Sequence, residues 1–273
     1  MRKRAGLWPV LFVCAVLGWT RAVADHRSLG DNAPSIGIII DDLGKQLGPG
    51  ERVIALPGPV ACAFLPRERH TADLAEIAHR AGKEVLLHLP MDSVDGRRLD
   101  EGAVTLDMTR EQFSRTVRTN LAVVPHAIGI NNHMGSLLTR HPGHMFWLMR
   151  EMLHRQPMYF VDSRTTVATV ARQVAQENGV PSIDRNVFLD NEVDDSEIAH
   201  QFNRLLHLAR RHGTALAIGH PHPETLRVLE REIPKLEQQG LHLLPVSELI
   251  ELQKQGEQTW QASWSPSHRD AKN

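Results

Sequence analysis

Short apolar runs punctuate the chain from residue 36 to residue 246. They lie at 36–41 (IGIIID), 60–65 (VACAFL), 84–89 (EVLLHL), 127–131 (AIGIN), 158–162 (MYFVD), 182–189 (SIDRNVFL), 215–219 (ALAIG) and 241–246 (LHLLPV). Several are apolar throughout, with no polar alternation, as in parallel strands buried on both faces. Segments of helical period lie between them. Phe113, Val117, Leu121 and Val124 mark a helix over 110–124, and Thr109 with Gln112 forms a capping box before it. Leu148, Met149, Met152 and Leu153 share a face of 145–154, and Val167, Val170, Ala171 and Val174 share one of 167–178, which Gly179 ends. Ile198, Phe202, Leu205 and Ala209 mark 196–212, and Pro234 splits a helix over 224–239. Strand and helix alternate about seven times, which predicts an α/β fold with parallel strands, a single domain closed or nearly closed into a (β/α) barrel. An open doubly wound sheet is the alternative.

The ends of the chain have a different character. Arg2, Lys3 and Arg4 precede an apolar run from Leu7 to Trp19, and Ala22-Val23-Ala24 fits a small-x-small cleavage site. The run is short for a membrane span, so residues 1–24 read as a cleavable signal peptide and the protein as periplasmic or otherwise exported, with no stable membrane span after cleavage. Residues 25–34 form a polar linker, 35–252 the folded body, and 253–273 a polar, flexible tail whose large apolar groups are Trp260 and Trp264.

Composition narrows the function classes. The 273 residues carry 31 Lys and Arg against 32 Asp and Glu. There is no cationic excess of the kind that nucleic-acid binding needs. Loss of residues 1–24 removes four basic residues and no acidic one, leaving the remainder at −5. Cys14 leaves with the signal, and Cys62 alone cannot form an intrachain disulfide.

The chemistry-bearing residues cluster at strand ends: Asp41-Asp42, His88, Asn131-Asn132-His133, Asp162-Ser163-Arg164, Asp190-Asn191 and His220-Pro221-His222. In a parallel sheet these ends share one face, where barrel enzymes build their sites. Each has a plainer reading: Asp41-Asp42 as a turn cap, His88 as a core histidine, Asp162 with Arg164 as an ion pair, and one of His220 and His222 as structural. Two adjacent carboxylates nevertheless call for a cation. Asp42, His88 and His133 can supply one carboxylate and two imidazoles to Zn²⁺ or another divalent metal. Dinucleotide, Walker and nucleophile-elbow motifs are absent.

At these residues the sequence resembles the divergent polysaccharide deacetylases. The resemblance rests on IGIIIDDLG (36–44), HLPMD (88–92), INNHMGS (130–136), FVDSRT (160–165), NVFLDN (186–191), AIGHPHPETL (217–226) and LLPVSEL (243–249). It implies a distorted (β/α)₇-type barrel and metal-dependent N- or O-deacetylase ancestry. It makes Asp41 the base, Asp42 a metal ligand and His220 the acid. His88 matches the first His of the usual His-x₃-His pair, Asp92 replaces the second, and His133 is the candidate substitute. Asn131, Asn132, Asp162, Arg164, Asp190 and His222 are expected to bind substrate or support the first group. The implied substrate is an acetylated envelope glycan of peptidoglycan type. The alternative is a catalytically inactive module that binds glycan or a protein partner, and a third option is another metal-assisted amide or ester hydrolysis.

Overall fold

The computed structural model describes residues 33–264, apart from residue 156. The predicted signal peptide (1–24), nearly all of the predicted linker (25–34) and residues 265–273 lie outside the described residues. The elements, in order, are β1 (Ser35–Leu43), α1 (Leu47–Ile54), β2 (Ala61–Phe64), α2 (Thr71–Arg80), β3 (Val85–Met91), α3 (Arg110–Val123), β4 (Ala127–Met134), α4 (Pro142–Leu153), β5 (Tyr159–Asp162), α5 (Ala171–Glu177), β6 (Ser182–Asp184), β7 (Val187–Phe188), α6 (Asp195–His212), β8 (Thr214–Gly219), α7 (Pro223–Glu232), β9 (His242–Leu243) and α8 (Val246–Trp264).

The strands form one parallel sheet in the order β6-β5-β4-β3-β2-β1-β8-β7. Its two edges, β6 and β7, are consecutive in the chain. The sheet therefore curls into a distorted barrel whose last gap is crossed by Arg185 and Asn186 rather than by a ladder. Arg185 N–H donates to the Asp162 carbonyl on one side (3.0 Å), and Asn186 N–H donates to Leu216 on the other (2.9 Å). The predicted strand over 182–189 is thus two strands, one on each side of the seam. β9 pairs with Ser35 and Ile36, beside the lower part of β1 that β2 does not reach.

Strand period 2 divides the core into two layers. Ile36, Ile38, Ile40, Leu87, Ile130 and Phe160 face outward and pack with helix residues such as Phe113, Leu148 and Phe202. Ile39, Ala63, Leu86, Val161, Ile183 and Ile218 face inward and meet Val246, Leu249 and Ile250 of α8. Helix α8 therefore plugs the barrel at the N-terminal ends of the strands. Gly37 makes room for it, because a Cβ there would lie 2.9 Å from both Leu216 and Leu249.

Glu84, just before β3, fastens the plug. Its carboxylate accepts hydrogen bonds from Val246 N–H (2.8 Å) and Ser247 N–H (3.2 Å) at the start of α8, and from the Tyr159 hydroxyl (2.9 Å). An acceptor at a helix N-terminus satisfies amides that have no intrahelical partner. Glu84→Ala is expected to destabilise the fold by about 1–3 kcal/mol, since it also strips a buried hydroxyl of its acceptor. Urea titration against wild type checks this, and an unchanged midpoint would show that α8 is held by apolar packing alone.

Helix ends follow local chemistry. The Thr109–Gln112 capping box is present, Asp194 caps α6, and Pro142 and Pro223 open α4 and α7. The chain leaves α7 at residue 232 and passes through two short 3₁₀ turns around Pro234. Two expectations need adjustment. Helix α5 begins at Ala171, and Val167 is 93% exposed rather than on an apolar face. The Thr169 hydroxyl donates to Asp162 (2.7 Å) and accepts from Ala171 N–H (3.2 Å), a local capping pattern that competes with helix before residue 171. The segment beginning at Gln253 continues α8 as helix as far as Trp264.

Candidate active site

The inward parity that builds the inner core also builds the site. One step above Ile39 is Asp41, above Leu86 is His88, above Gly129 are Asn131 and His133, above Val161 is Ser163, and above Ile218 is His220. All lie at the C-terminal mouth of the barrel. The β3–β4 register sets His88 opposite Asn131 and Pro90 opposite His133. Pro90 is tolerated in this central strand because β2 pairs with β3 only as far as Leu87.

Asp42 has the wrong parity for this cluster and reaches it by another route. Its φ of 58° is left-handed, as are those of Met134 (54°) at the end of β4 and Arg164 (48°) just past β5. Such backbone costs free energy in a residue with a side chain and gathers at functional sites. Here it turns Asp42 back inward, so two adjacent carboxylates face one imidazole. His88 Nε2 lies 3.5 Å from Asp41 Oδ2 and 3.3 Å from Asp42 Oδ1.

Three atoms converge at this point. Asp42 Oδ1 is 3.1 Å from His133 Nδ1, which is 3.0 Å from His88 Nε2. Asp42 Oδ1 is buried and has no hydrogen-bond partner. The surroundings fix what the two rings present. Asp41 Oδ1 accepts a hydrogen bond from Asn131 Nδ2 (2.8 Å), so Asn131 turns its oxygen to His88 Nδ1 (2.9 Å). His88 then carries its proton on Nδ1 and presents a lone pair at Nε2. A buried carboxylate oxygen and ring nitrogens at mutual distances of 3.0–3.3 Å call for positive charge between them. A tetrahedral ion with bonds of about 2.0–2.1 Å spaces its ligands about 3.3 Å apart, so these residues fit a divalent cation.

The electrostatics agree. Burial opposes ionisation of Asp42, yet its contacts with His133 and His88 hold its carboxyl far below the usual range. Burial pushes Asp41 up, with His88, His220 and Asn131 only moderating the rise. Burial would depress His88, but Asp41 and Asp42 raise it. His220 follows the same logic on the far side of the mouth. Burial would lower it, and the hydrogen bond and charge of Asp190, helped by Asp41 and Asp42, raise it to about 9. Asp190 accepts from His220 Nδ1 (3.0 Å), from His220 N–H (2.6 Å) and from the Thr225 hydroxyl (2.7 Å). Asp190, His220 and His222 could also bring one ligand atom each within 4.8 Å of one another. With those three donors on Asp190, the local arrangement is that of a held imidazolium.

Other predicted residues fall outside the cluster. Asp162 faces outward and accepts from Arg164 N–H (2.8 Å) and Thr169. The Arg164 guanidinium pairs with Asp184 (3.3 Å) rather than with Asp162. Asn132 also faces outward, where it accepts from Ser163 N–H (2.9 Å) and donates to the Met134 carbonyl (2.7 Å). It shapes the mouth without entering it. Asp92 accepts from Leu106 N–H (3.4 Å), and its carbonyl receives the amides of Leu137 and Leu138. His222 lines a cavity of about 320 Å³ between the loops after β1 and β8, together with Asp42, Lys45, Gln46 and His220. A larger cleft of about 760 Å³ lies at the opposite end of the barrel, around His79, Glu84 and His126.

A family model described as divergent polysaccharide deacetylase matches residues 38–250. The chain belongs to that family. It is similar to the uncharacterized protein YibQ of Escherichia coli K12, at 40% identity over 206 residues, which cover 75% of this chain and 64% of that protein. The match therefore spans somewhat less than two thirds of that relative's length. The uncharacterized protein ATU2773 of Agrobacterium tumefaciens C58 shares the fold, with TM-score 0.76, 20% identity, and 80% of this chain and 89% of that chain covered. So does a mutant of the Bacillus anthracis protein BA3943, described as a CE4 family pseudoenzyme with restored enzymatic activity, with TM-score 0.51, 16% identity and coverage of 80% and 68%. Within the deacetylase-like barrel the 38–250 match runs from β1 into α8, so it includes every residue of the mouth. No described helix is long and apolar enough to cross a membrane.

Sequence reading named Ser163 at a strand end without a role in the site and missed Arg185, Lys45 and Asp100. Ser163 lies 3.5 Å from Asn131 Nδ2. Arg185 donates to the Ser163 and Arg164 carbonyls across the seam. Lys45 sits 3.8 Å from Asp42, and Asp100 lies 3.0 Å from His133 Nε2. Ser163 alone carried a signal, since it shares the parity of Val161.

Proposed function

We propose that this protein is an exported, metal-dependent deacetylase of an N- or O-acetylated envelope glycan. The observation that carries this reading is the convergence of Asp42 Oδ1, His88 Nε2 and His133 Nδ1, with Asp41 beside them and His220 facing them. Asp42, His88 and His133 would hold Zn²⁺ or another borderline divalent ion, which when bound supplies an activated water and polarises the carbonyl under attack.

The chain's own residues carry the protons. Asp41, raised by burial and steadied on Oδ1 by Asn131, accepts the proton of the attacking water through Oδ2. A C–O bond forms at the acetyl carbon, and the bond from that carbon to the sugar nitrogen or oxygen breaks. His220, held protonated by Asp190, donates its proton to the departing amine or alcohol. Acetate and the free sugar group are the products. Acid–base groups of this kind contribute about 10²–10⁴-fold each. The leader at 1–24 would carry the protein to the periplasm.

The test is acetate release from acetylated chito-oligosaccharides and peptidoglycan fragments with added Zn²⁺, wild type against Asp41→Asn. Release that falls at least 100-fold in the variant, with metal content unchanged, supports the reading. Asp92 in place of a second His-x₃-His imidazole favours the other reading, a non-catalytic glycan- or protein-binding module. Absence of release from every substrate alongside retained glycan capture would establish that one.

A further inference from the structure

We infer that Asp100 is the positioning residue for His133: it accepts a hydrogen bond from Nε2–H and so leaves the Nδ1 lone pair to the candidate metal position. The inference rests on the proposed metal site. Asp100 lies on the long loop between β3 and α3, which sequence periodicity leaves unassigned. The loop is pinned near its base. Val104 is fully buried and bridges to Met91, its N–H donates to the Pro90 carbonyl (2.9 Å), and its carbonyl accepts from Asp92 N–H (3.1 Å). The carbonyl of Gly102 is held by the buried Asn120 of α3 (2.7 Å). A carboxylate on so anchored a segment has a defined place. Asp100 Oδ2 lies 3.0 Å from His133 Nε2.

His133 Nε2 faces Asp100, while its Nδ1 faces His88 and Asp42. A neutral imidazole bears one proton. A carboxylate is acceptor-only, so with Asp100 beside Nε2 the proton resides there and Nδ1 is free to bind a cation. Asn131 performs the same task for His88 from the opposite ring nitrogen. The two imidazoles thus enter the site through different nitrogens, each fixed by an acceptor behind it. Lys45 lies between Asp42 (3.8 Å) and Asp100 (3.9 Å), beyond hydrogen-bond length, and offsets the second negative charge. Outer partners of metal-binding histidines are generally worth 10–100-fold in affinity.

The experiment is Zn²⁺ binding in competition with a chromophoric chelator, together with ¹⁵N NMR of the His133 ring in metal-free protein. Wild type, Asp100→Ala, Asp100→Glu and Asp42→Asn are compared after thermal melts show each is folded. Asp100→Ala should bind Zn²⁺ 10–100-fold more weakly and lose the Nε2–H tautomer, and Asp100→Glu should recover part of both. If Asp42→Asn abolishes binding while Asp100→Ala matches wild type in affinity and tautomer, the role of Asp100 is wrong and the site stands. If wild type and Asp42→Asn bind Zn²⁺ alike, the site itself is wrong.

Discussion

Asp42→Asn is expected to remove both divalent-ion binding and acetate release. Asn is the informative replacement because residue 42 has φ 58°, a conformation that Asn adopts more readily than other residues with side chains. The variant keeps the turn that brings residue 42 inward and removes only the charge. Asp42 Oδ1 is a buried atom without a hydrogen-bond partner, facing two ring nitrogens. A carboxamide there leaves the imidazoles without an anionic co-ligand. Metal assistance is worth several kcal/mol, and each 1.4 kcal/mol is a factor of ten, so activity should fall about 10²–10⁴-fold. Binding of Zn²⁺ should weaken by at least about 100-fold, in line with loss of a ligand rather than of an outer partner. The metal-free folded state should lose some stability, since His133 and His88 hold the Asp42 carboxylate in its charged form. Metal content, calorimetry and acetate assays on one preparation check all three. A fully active Asp42→Asn with wild-type metal content would remove the ion from the mechanism.

Why part of this site was legible in the sequence follows from strand geometry. Apolar runs ending in Asp41, His88, Asn131 and His220 announce that polar groups cap buried strands, and parallel strands put their ends together. Period 2 then decides which of them face inward. It separates Ser163 from Asp162 and Asn131 from Asn132, a distinction available from parity but not drawn from residue type. Asp42 obeys no such rule, because its inward turn depends on a left-handed dihedral that composition does not encode. Asp100 and Lys45 arrive on loops, where no periodicity relates position to direction. The helices show the same contrast. The capping box at Thr109 is a local signal and is present, whereas α1 contains Gly48, Pro49 and Gly50, which read as breakers. The split of 182–189 into β6 and β7 reflects barrel closure, a property of the whole sheet.

Asp190→Asn should lower the pH at which activity declines on the alkaline side, by about two units. The asparagine oxygen can still accept from His220 Nδ1, so the ring keeps its orientation and loses the charge that sustains its proton. Burial opposes that proton throughout, and Asp190 is the largest influence raising His220 to about 9. Without it the value drops toward the ordinary 6.5 despite Asp41 and Asp42, and at pH 8 the acid-competent fraction falls about tenfold or more. Stability gives a second reading of the same charge. A histidine raised on folding stabilises fully below about pH 6.5, and that contribution fades as pH climbs through about 9. Asp190 is opposed by burial but lowered by His220, so its contribution is present above its ordinary 3.8 and lost on acidification below that. The pair therefore contributes most between about pH 4 and 6.5. In chelator, the gap in melting temperature between wild type and Asp190→Asn should be widest in that window and close toward pH 9. A gap that instead widens as pH rises would mean that His220 is neutral in the folded protein, and the proton for the departing group would have to come from elsewhere in the mouth.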